Sequence, residues 1–150
     1  MSPRQPSASP EAPAWHAGIA LPPLLVVPTR AHLFMFSAAT WNRHHVHYDQ
    51  AAAVREGLPD VVVHRGLVGN YFARLLTGWM GDQGGCIANL SWRMLRSAVP
   101  DATLACRGRL IAVEFIGSDE VATCELEAVD EAGAVIATGQ STLRRARPAR

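Results

Sequence analysis

Four of the six histidines in this 150-residue chain lie between residues 44 and 64. These are His44, His45, His47 and His64, and the same stretch carries Asn42, Arg43, Asp49 and Arg65. Histidine is the side chain whose unperturbed pKa lies nearest to neutrality, so a cluster in a polar segment is typical of general acid/base catalysis or of a metal site. This stretch is therefore the part of the sequence best suited to chemistry.

A metal site is one interpretation of the His-His-Val-His run. In a strand, His45 and His47 would project to the same face, and Asp49 would add an oxygen ligand. No cysteine pair supports such a site and the nearest glutamate is Glu56, so the spacing does not match the usual metal-binding patterns. We expect no metal here.

Two kinds of nucleophilic catalysis are disfavoured. The sequence contains no Gly-x-Ser-x-Gly motif, which a hydrolase with a serine on a strand-to-helix elbow would carry. The cysteines Cys86, Cys106 and Cys124 fall on the apolar-alternating face of predicted strands, where we expect buried and inert thiols. The remaining candidate for acid/base chemistry is His47.

An oxyanion site is the second element of that interpretation. The residues His64, Arg65 and Gly66 lead directly into the longest apolar periodicity, so their N–H groups lie at the positive end of a predicted helix. A substrate carbonyl would be polarised there, and Gly66 would let it approach the backbone. The same residues fit equally well if Gly66 only permits close packing and His64 caps a turn.

The elements that position this segment follow from apolar spacing. A proline-containing extended edge precedes a helix from Arg30, capped by Thr29, and a short helix runs from Asp49 to Gly57. Two stripes with a spacing of four predict a long buried helix, namely Leu67, Tyr71, Leu75 and Trp79, and Val68, Phe72, Leu76 and Met80. After Gly85 the period changes to two, which predicts a meander of about four long strands. This order predicts an α+β fold, with a sheet wrapped on a central helix.

The length predicts one domain with one core. Residues 1–14 are rich in Pro, Ser and Ala and predict a flexible leader, residues 15–144 form the domain, and residues 145–150 form a short, solvated basic tail. Six apolar strand positions exceed what a single helix can cover, so we expect a dimer. They are Ile87, Leu95, Ile111, Val113, Val121 and Val129.

The composition excludes several other functions. All 14 basic residues are arginine, so a Schiff-base lysine is absent, and the net charge of +1 argues against nucleic acid as a partner. No apolar stretch has the length of a membrane span, and the N-terminus does not resemble a secretory signal. Three cysteines without a C-x-x-C pair fit a reducing compartment, and we expect a cytoplasmic protein without a membrane partner.

Residues 34–76 resemble the MaoC-like hydratase/dehydratases of the hotdog fold, especially the branch related to mitochondrial-type 3-hydroxyacyl-thioester dehydratases. The motif is a polar residue five positions before a histidine in an H-x-D context, followed by an apolar-His-Gly step. The positions that carry it are Asn42, His47, Asp49, His64 and Gly66. The order of elements extends the resemblance over most of residues 18–144.

The resemblance implies a single hotdog domain and the reversible addition of water across the 2,3-double bond of an enoyl thioester. The substrate would be carried on coenzyme A or an acyl carrier protein, and no cofactor is implied. The implied catalytic residues are His47 and Asn42, and the oxyanion and substrate-binding residues are His64, Arg65, Gly66 and His44. In this family the central helix and the sheet form the acyl tunnel. The aromatic residues Tyr71, Phe72 and Trp92 are candidates for its lining, and they would equally form an ordinary core. The implied assembly is a homodimer, or a heterodimer with a second hotdog subunit.

Two positions depart from the family's pattern. The family commonly has aspartate where this chain has Asn42, and an amide cannot exchange a proton near neutral pH. Arg65 interrupts the His-Gly step, and it would either bind a carrier phosphate or face solvent.

A hydro-lyase is the leading hypothesis. The alternatives are a catalytically silent hotdog subunit or acyl-binding protein, and a hotdog thioesterase that uses Asp49 or Glu56 to activate water.

Overall fold

A computed structural model describes residues 14–146, so the predicted leader lies outside the described residues except for Ala14. The helices are α1 (Arg30–Thr40), α2 (Gln50–Arg55) and α3 (Arg65–Met80), with 3-10 turns at His45–His47 and Gly81–Gln83. The strands are β1 (Leu24–Val26), β2 (Cys86–Met94), β3 (Leu104–Ile116), β4 (Asp119–Val129) and β5 (Val135–Ala146). Thr29 and Asp49 cap α1 and α2 as predicted, each accepting a hydrogen bond from a backbone amide three residues on.

The five strands form one antiparallel sheet in the order β1-β3-β4-β5-β2. This confirms the predicted α+β sheet around a long helix. The meander is confirmed for β3, β4 and β5 but is wrong for β2, which pairs with β5 at the edge opposite β1. Residues 95–103 connect β2 to β3 and are longer than a hairpin loop, which allows the chain to cross the sheet.

The central helix α3 packs its two predicted stripes into the core. Seven of the eight stripe residues are buried, and Trp79 is partly buried and packs against the core. A helix that is apolar around most of its circumference must be covered on most sides, and the curled sheet provides that cover. The N-terminus of α3 therefore has a fixed position relative to the sheet.

Close packing at one glycine brings α3 onto β2. A Cβ atom on Gly69 would lie 2.2 Å from the Trp92 ring, so only glycine fits at this contact. The Trp92 indole N–H donates to the Arg65 carbonyl at 2.9 Å, and Arg65 Nη2 donates to the Trp92 carbonyl at 2.8 Å. The Arg65 guanidinium also lies 5.0 Å from the centroid of the Trp92 ring. These contacts tie the first turn of α3 to β2.

The prediction of three buried cysteines is wrong for Cys86, which is exposed. A bulge between Ile87 and Asn89 shifts the register of β2 against β5. Because side chains alternate along a strand, this shift moves Cys86 to the solvent face and turns Ile87 toward the core. Cys106 and Cys124 are buried as predicted, and burial raises the pKa of each thiol to about 11.

The six apolar strand positions that were expected to need cover from a partner subunit differ in how exposed they are. Val129 is buried, and Ile87 and Val113 pack against the core of the same chain. Leu95 and Ile111 remain exposed, by 48% and 39%. The single chain therefore covers more of its own sheet than the alternation predicted, since Ile87, Val113 and Val129 are buried in its core or pack against it.

The predicted boundary of the basic tail is also displaced, since β5 continues through Ala146. Arg145 is not solvated: its Nε donates to Glu120 Oε2 at 2.6 Å and both side chains are almost completely buried. The Trp15 amide donates to the other oxygen of Glu120, and the Arg145 guanidinium lies 4.2 Å from the centroid of the Trp15 ring. This cluster fastens the segment before β1 to the far end of the sheet. Residues 147–150 of the predicted tail lie outside the described residues.

Among residues 14–146, no helix combines the length and the apolar character needed to cross a membrane.

Candidate active site

The end of α1 and the turn that follows are shaped by Asn42. Trp41 closes α1 in the left-handed conformation (φ 54°), and the Asn42 amide donates to the Ser37 carbonyl at 2.9 Å. Asn42 Oδ1 then accepts a hydrogen bond from the His44 amide at 3.0 Å. This side-chain bond two residues along the chain is the turn geometry that asparagine favours, and it starts the 3-10 turn at His45–His47.

Backbone contacts with the extended segment 61–64 hold that turn in place. The Val62 amide donates to the Val46 carbonyl at 3.0 Å, and His47 Nδ1–H donates to the Val62 carbonyl at 2.7 Å. Since a carbonyl can only accept, the hydrogen of the neutral His47 ring is on Nδ1 and Nε2 carries a lone pair. Partial burial lowers the pKa of His47, and His44 adds to this effect while the bond to Val62 opposes it. Neutral His47 is thus a base whose Nε2 makes no hydrogen bond to another of the described residues.

The ring of His64 lies directly against that of His47. The two ring centroids are 3.7 Å apart and the planes differ by 19°, which is a stacked arrangement. His64 is only 1% exposed, and burial, with a smaller contribution from His47, lowers its pKa to about 4. Its Nε2 lies 2.7 Å from Ser37 Oγ, and its buried Nδ1 has no hydrogen-bond partner among the described residues. The site therefore contains two neutral histidines at neutral pH.

The N-terminus of α3 begins at this histidine pair. His64 is the N-cap residue, and its side chain makes no capping hydrogen bond. The amides of Leu67 and Val68 donate to the His64 carbonyl, which leaves the Arg65 and Gly66 amides without an acceptor inside the helix. Such amides at the positive end of a helix stabilise negative charge. A Cβ on Gly66 would lie 3.1 Å from the Phe36 ring, so this glycine also permits close packing.

An apolar groove of about 520 Å³ lies beside the pair, between β1, α1 and α3. Its walls include Leu25, Val27, Met35, Phe36, Leu67 and Tyr71. Phe36 connects the two regions, because its ring lines the groove and its centroid lies 4.8 Å from that of His64. Phe36 is therefore a wall shared by the groove and the His64 ring, and Leu67 places the groove beside the first turn of α3.

Residues 3–100 match the family model described as hydroxyacyl-thioester dehydratase type 2. The chain belongs to this family. The matched region includes all the motif positions from Asn42 to Gly66 and the histidine pair. The predicted membership of a hotdog hydratase/dehydratase family is therefore confirmed.

Mesaconyl-C(4)-CoA hydratase from Chloroflexus aurantiacus is 43% identical over 72 residues, which cover 43% of this chain. The matched region spans only 25% of that relative's length. Among solved structures, the (R)-hydratase from A. caviae involved in PHA biosynthesis has a TM-score of 0.79 at 18% identity, covering 87% of this chain and 96% of that one. The ChsH1-ChsH2 complex from Mycobacterium tuberculosis has a TM-score of 0.77 at 22% identity, covering 88% and 98%. These structures show the hotdog fold of this dehydratase-family chain.

The other predicted site residues lie in different surroundings. His44 is exposed, with Nε2 3.8 Å from Glu56 Oε1 and its ring 5.9 Å from that of His47. Asp49 accepts from the Ala52 amide as the cap of α2, and its other oxygen is 4.0 Å from His45 Nδ1. The metal interpretation assumed a strand, but the histidine run forms a 3-10 turn. Among the described residues, no group of three or more His, Cys, Asp or Glu side chains could hold a metal.

The residues expected to form the acyl pocket are separated by the fold. Tyr71 lines the groove as expected. Phe72, on the next position of α3, points into the core and is fully buried. Trp92 packs against Gly69 and Arg65 at the junction of α3 with β2. Of the three, only Tyr71 remains a candidate for acyl contact in this groove.

Two participants in the site were missed from the sequence. Ser37 is 6% exposed and lies four residues after Leu33, the other buried residue of α1. A serine on the apolar face of a helix was the available signal, because a buried hydroxyl needs a partner. Val62 contributes only its backbone carbonyl to the site, and the residue type at a position does not reveal such a contact.

Proposed function

We propose that this dehydratase-family chain catalyses the reversible hydration of a 2-enoyl thioester to a 3-hydroxyacyl thioester, with His47 as the acid and base. The observation that carries this proposal is the state of His47: neutral, with its hydrogen held on Nδ1 by Val62 and its Nε2 free. A base with a lowered pKa remains unprotonated at neutral pH. Its position beside the open end of α3 supports an oxyanion site for the thioester.

In the hydration direction, His47 Nε2 takes a proton from water as the water oxygen bonds to C3. The electron pair of the 2,3-double bond then moves onto the thioester oxygen, where the Arg65 and Gly66 amides and the positive end of α3 stabilise the charge. Protonated His47 returns the proton to C2, which completes the addition of water. In this proposal Asn42 orients the water through its Nδ2, because its Oδ1 accepts from the His44 amide, and it does not exchange a proton. Dehydration is the same path in reverse.

The acyl group is proposed to lie in the groove beside Phe36 and Tyr71. The groove is apolar and of the volume common for small-molecule sites, and its wall contacts His64. The description of the family, hydroxyacyl-thioester dehydratase, and the relative named mesaconyl-C(4)-CoA hydratase support a thioester substrate. The carrier is coenzyme A or an acyl carrier protein.

A silent subunit is the second candidate function, and Asn42 favours it. The amide oxygen of Asn42 is already engaged by the His44 amide, and an amide supplies no acid. One similar fold occurs in a two-component complex, ChsH1-ChsH2. In this case the chain would complete a heterodimer with a second hotdog subunit, whereas an active chain would form a homodimer.

A thioesterase receives less support from the site. Asp49 is held as the cap of α2 and Glu56 faces the exposed His44. Within residues 14–146, no carboxylate is hydrogen-bonded to His47 or His64. A carboxylate that activates water for attack on the carbonyl is thus not in contact with this histidine pair.

The test follows the enoyl-thioester absorbance of crotonyl-coenzyme A and of a longer 2-enoyl-coenzyme A with the full chain. His47→Ala should lower turnover by a factor of about 100 or more, the usual contribution of a general acid/base. His45→Ala is the matched control, because His45 lies in the same turn, is exposed, and should leave turnover nearly unchanged. Equal activity of His47→Ala and wild type would refute the proposal.

Two further arms separate the alternatives. Release of free thiol without loss of the double bond would establish a thioesterase. An inactive wild type that becomes active as Asn42→Asp would show that the amide silences an otherwise complete site, which favours the subunit hypothesis.

A further inference from the structure

We propose that Ser37 is a positioning residue that fixes His64 with its ring hydrogen on Nδ1, and that this N–H is a hydrogen-bond donor for the thioester oxygen. The role of the donor rests on the proposed hydratase function, whereas the role of Ser37 does not. Ser37 has no place in the mechanism above. The inference therefore adds a residue, and a third donor, to the oxyanion site.

The contact that carries the inference is buried and short. Ser37 Oγ and His64 Nε2 are 2.7 Å apart, and the two residues are 6% and 1% exposed. Ser37 reaches His64 from the buried face of α1, while His47 covers one face of the His64 ring. In such a setting each polar atom depends on its protein partner, because water has little access.

The hydrogen-bond inventory decides the direction of this bond. If His64 Nε2–H donated to Ser37, both the serine hydrogen and the bare Nδ1 would lack partners, since Ser37 Oγ has no other hydrogen bond among the described residues. If Ser37 donates to Nε2, the serine hydrogen is used and only Nδ1–H stays unpaired. The second arrangement leaves fewer unpaired groups. Ser37 is therefore the donor, and His64 carries its hydrogen on Nδ1.

The unpaired Nδ1–H then calls for an acceptor. Buried donors in native proteins almost always have a partner, which is a protein group, an ordered water or a ligand atom. His47 does not supply that acceptor, because the rings meet face to face and its Nδ1 is bonded to Val62. His64 is also the N-cap of α3, so its ring is attached at the helix end where the Arg65 and Gly66 amides have no acceptor inside the helix. An oxygen that develops negative charge at this end would pair with it.

The first measurement is the tautomer of His64 in the full chain, from long-range proton–nitrogen NMR correlations of the imidazole ring. In a neutral ring the nitrogen that carries hydrogen is distinguished from the bare one by its shift, so the state is read without substrate. Wild type should show hydrogen on Nδ1, and Ser37→Ala should show hydrogen on Nε2 or a mixture. Hydrogen on Nε2 in wild type, or an unchanged tautomer in Ser37→Ala, would overturn the role of Ser37.

Ser37→Thr is the conservative variant, since it keeps the hydroxyl and should retain the wild-type tautomer. Ser118→Ala removes an exposed hydroxyl in the turn between β3 and β4 and is the matched control. In the hydratase assay, Ser37→Ala should lower kcat by about tenfold with little change in KM, because it weakens a bond made to developing charge. Rescue by Ser37→Thr separates this effect from a loss of folding.

Saturating butyryl-coenzyme A tests the donor separately from catalysis, because this thioester has no double bond to hydrate. A shift of the His64 Nδ1–H resonance on saturation supports the donor, and an unmoved resonance refutes it. If wild type has no hydratase activity but shows the Nδ1 tautomer and this shift, the proposed function fails while the role of Ser37 stands.

Discussion

Mild acid should destabilise this protein through His64. In the folded chain, burial lowers the pKa of His64 to about 4 from its ordinary value of 6.5. Between these values the unfolded chain binds a proton that the folded chain does not. The free energy of unfolding therefore falls as the pH is lowered, and this contribution is complete above about 6.5 and lost progressively toward pH 4.

The size of the effect follows from the same two values. Each pH unit between them costs about 1.4 kcal/mol for one proton, so lowering the pH from 7 to 5 should remove about 2 kcal/mol of the free energy of unfolding. His47 adds to the loss, since its pKa is also lowered by burial. A loss of this size is a large fraction of the stability of a small domain.

Urea unfolding of wild type and His64→Gln at pH 7, 6 and 5 measures this contribution directly. Glutamine does not titrate, so the variant should lose about 2 kcal/mol less than wild type over this range, whatever its stability at pH 7. His45→Gln is the control, because this side chain is exposed and should leave the slope of wild type intact. A wild-type stability that is constant from pH 7 to 5, or an equal slope in His64→Gln, would refute the reasoning.

Two further predictions concern packing and charge. Gly69→Ala should lower the free energy of unfolding by about 1–3 kcal/mol, because its Cβ would lie 2.2 Å from the indole packed there. Gly78 lies in the same helix, and a Cβ there would have no atom within 4 Å, so Gly78→Ala should raise the free energy of unfolding by up to about 1 kcal/mol. If the urea midpoints of the two glycine variants moved in the same direction, this prediction would be contradicted. Glu120→Gln should cost about 3 kcal/mol or more because it breaks a buried ion pair with Arg145. Glu127 forms an exposed ion pair with Arg107, so Glu127→Gln should cost less than about 1 kcal/mol of the free energy of unfolding in the same urea titration. Similar losses in Glu120→Gln and Glu127→Gln would count against the role of burial.

The elements of the fold were largely predictable because their signals are local. Thr29 and Asp49 are cap residues directly before apolar periodicity, and α3 carries two uninterrupted stripes. The errors arose where the sequence carries no local signal. The bulge after Ile87 reverses the faces of Cys86 and Ile87 at the start of β2. The pairing of β2 with β5 depends on a connection that crosses the sheet.

The sequence predicted which residues form the site, but it did not predict which of them contact one another. His47 and Gly66 follow from motif spacing, and His64 precedes the helix that the motif predicts. The bond from Ser37 to His64 joins residues 27 positions apart, and it exists because α1 turns one polar side chain toward the core. The acceptor for His47 is a backbone carbonyl, which any residue at position 62 would provide.

Among residues 14–146, no carboxylate is hydrogen-bonded to His47 or His64. A nearby negative charge raises the pKa of a histidine, and its loss leaves burial as the main influence. Both ring pKa values are indeed lowered, chiefly by burial. In the proposed mechanism, a proton taken by His47 would be returned readily, because burial leaves the protonated ring poorly stabilised. A single histidine that accepts and returns the same proton, as proposed, is consistent with this electrostatic environment.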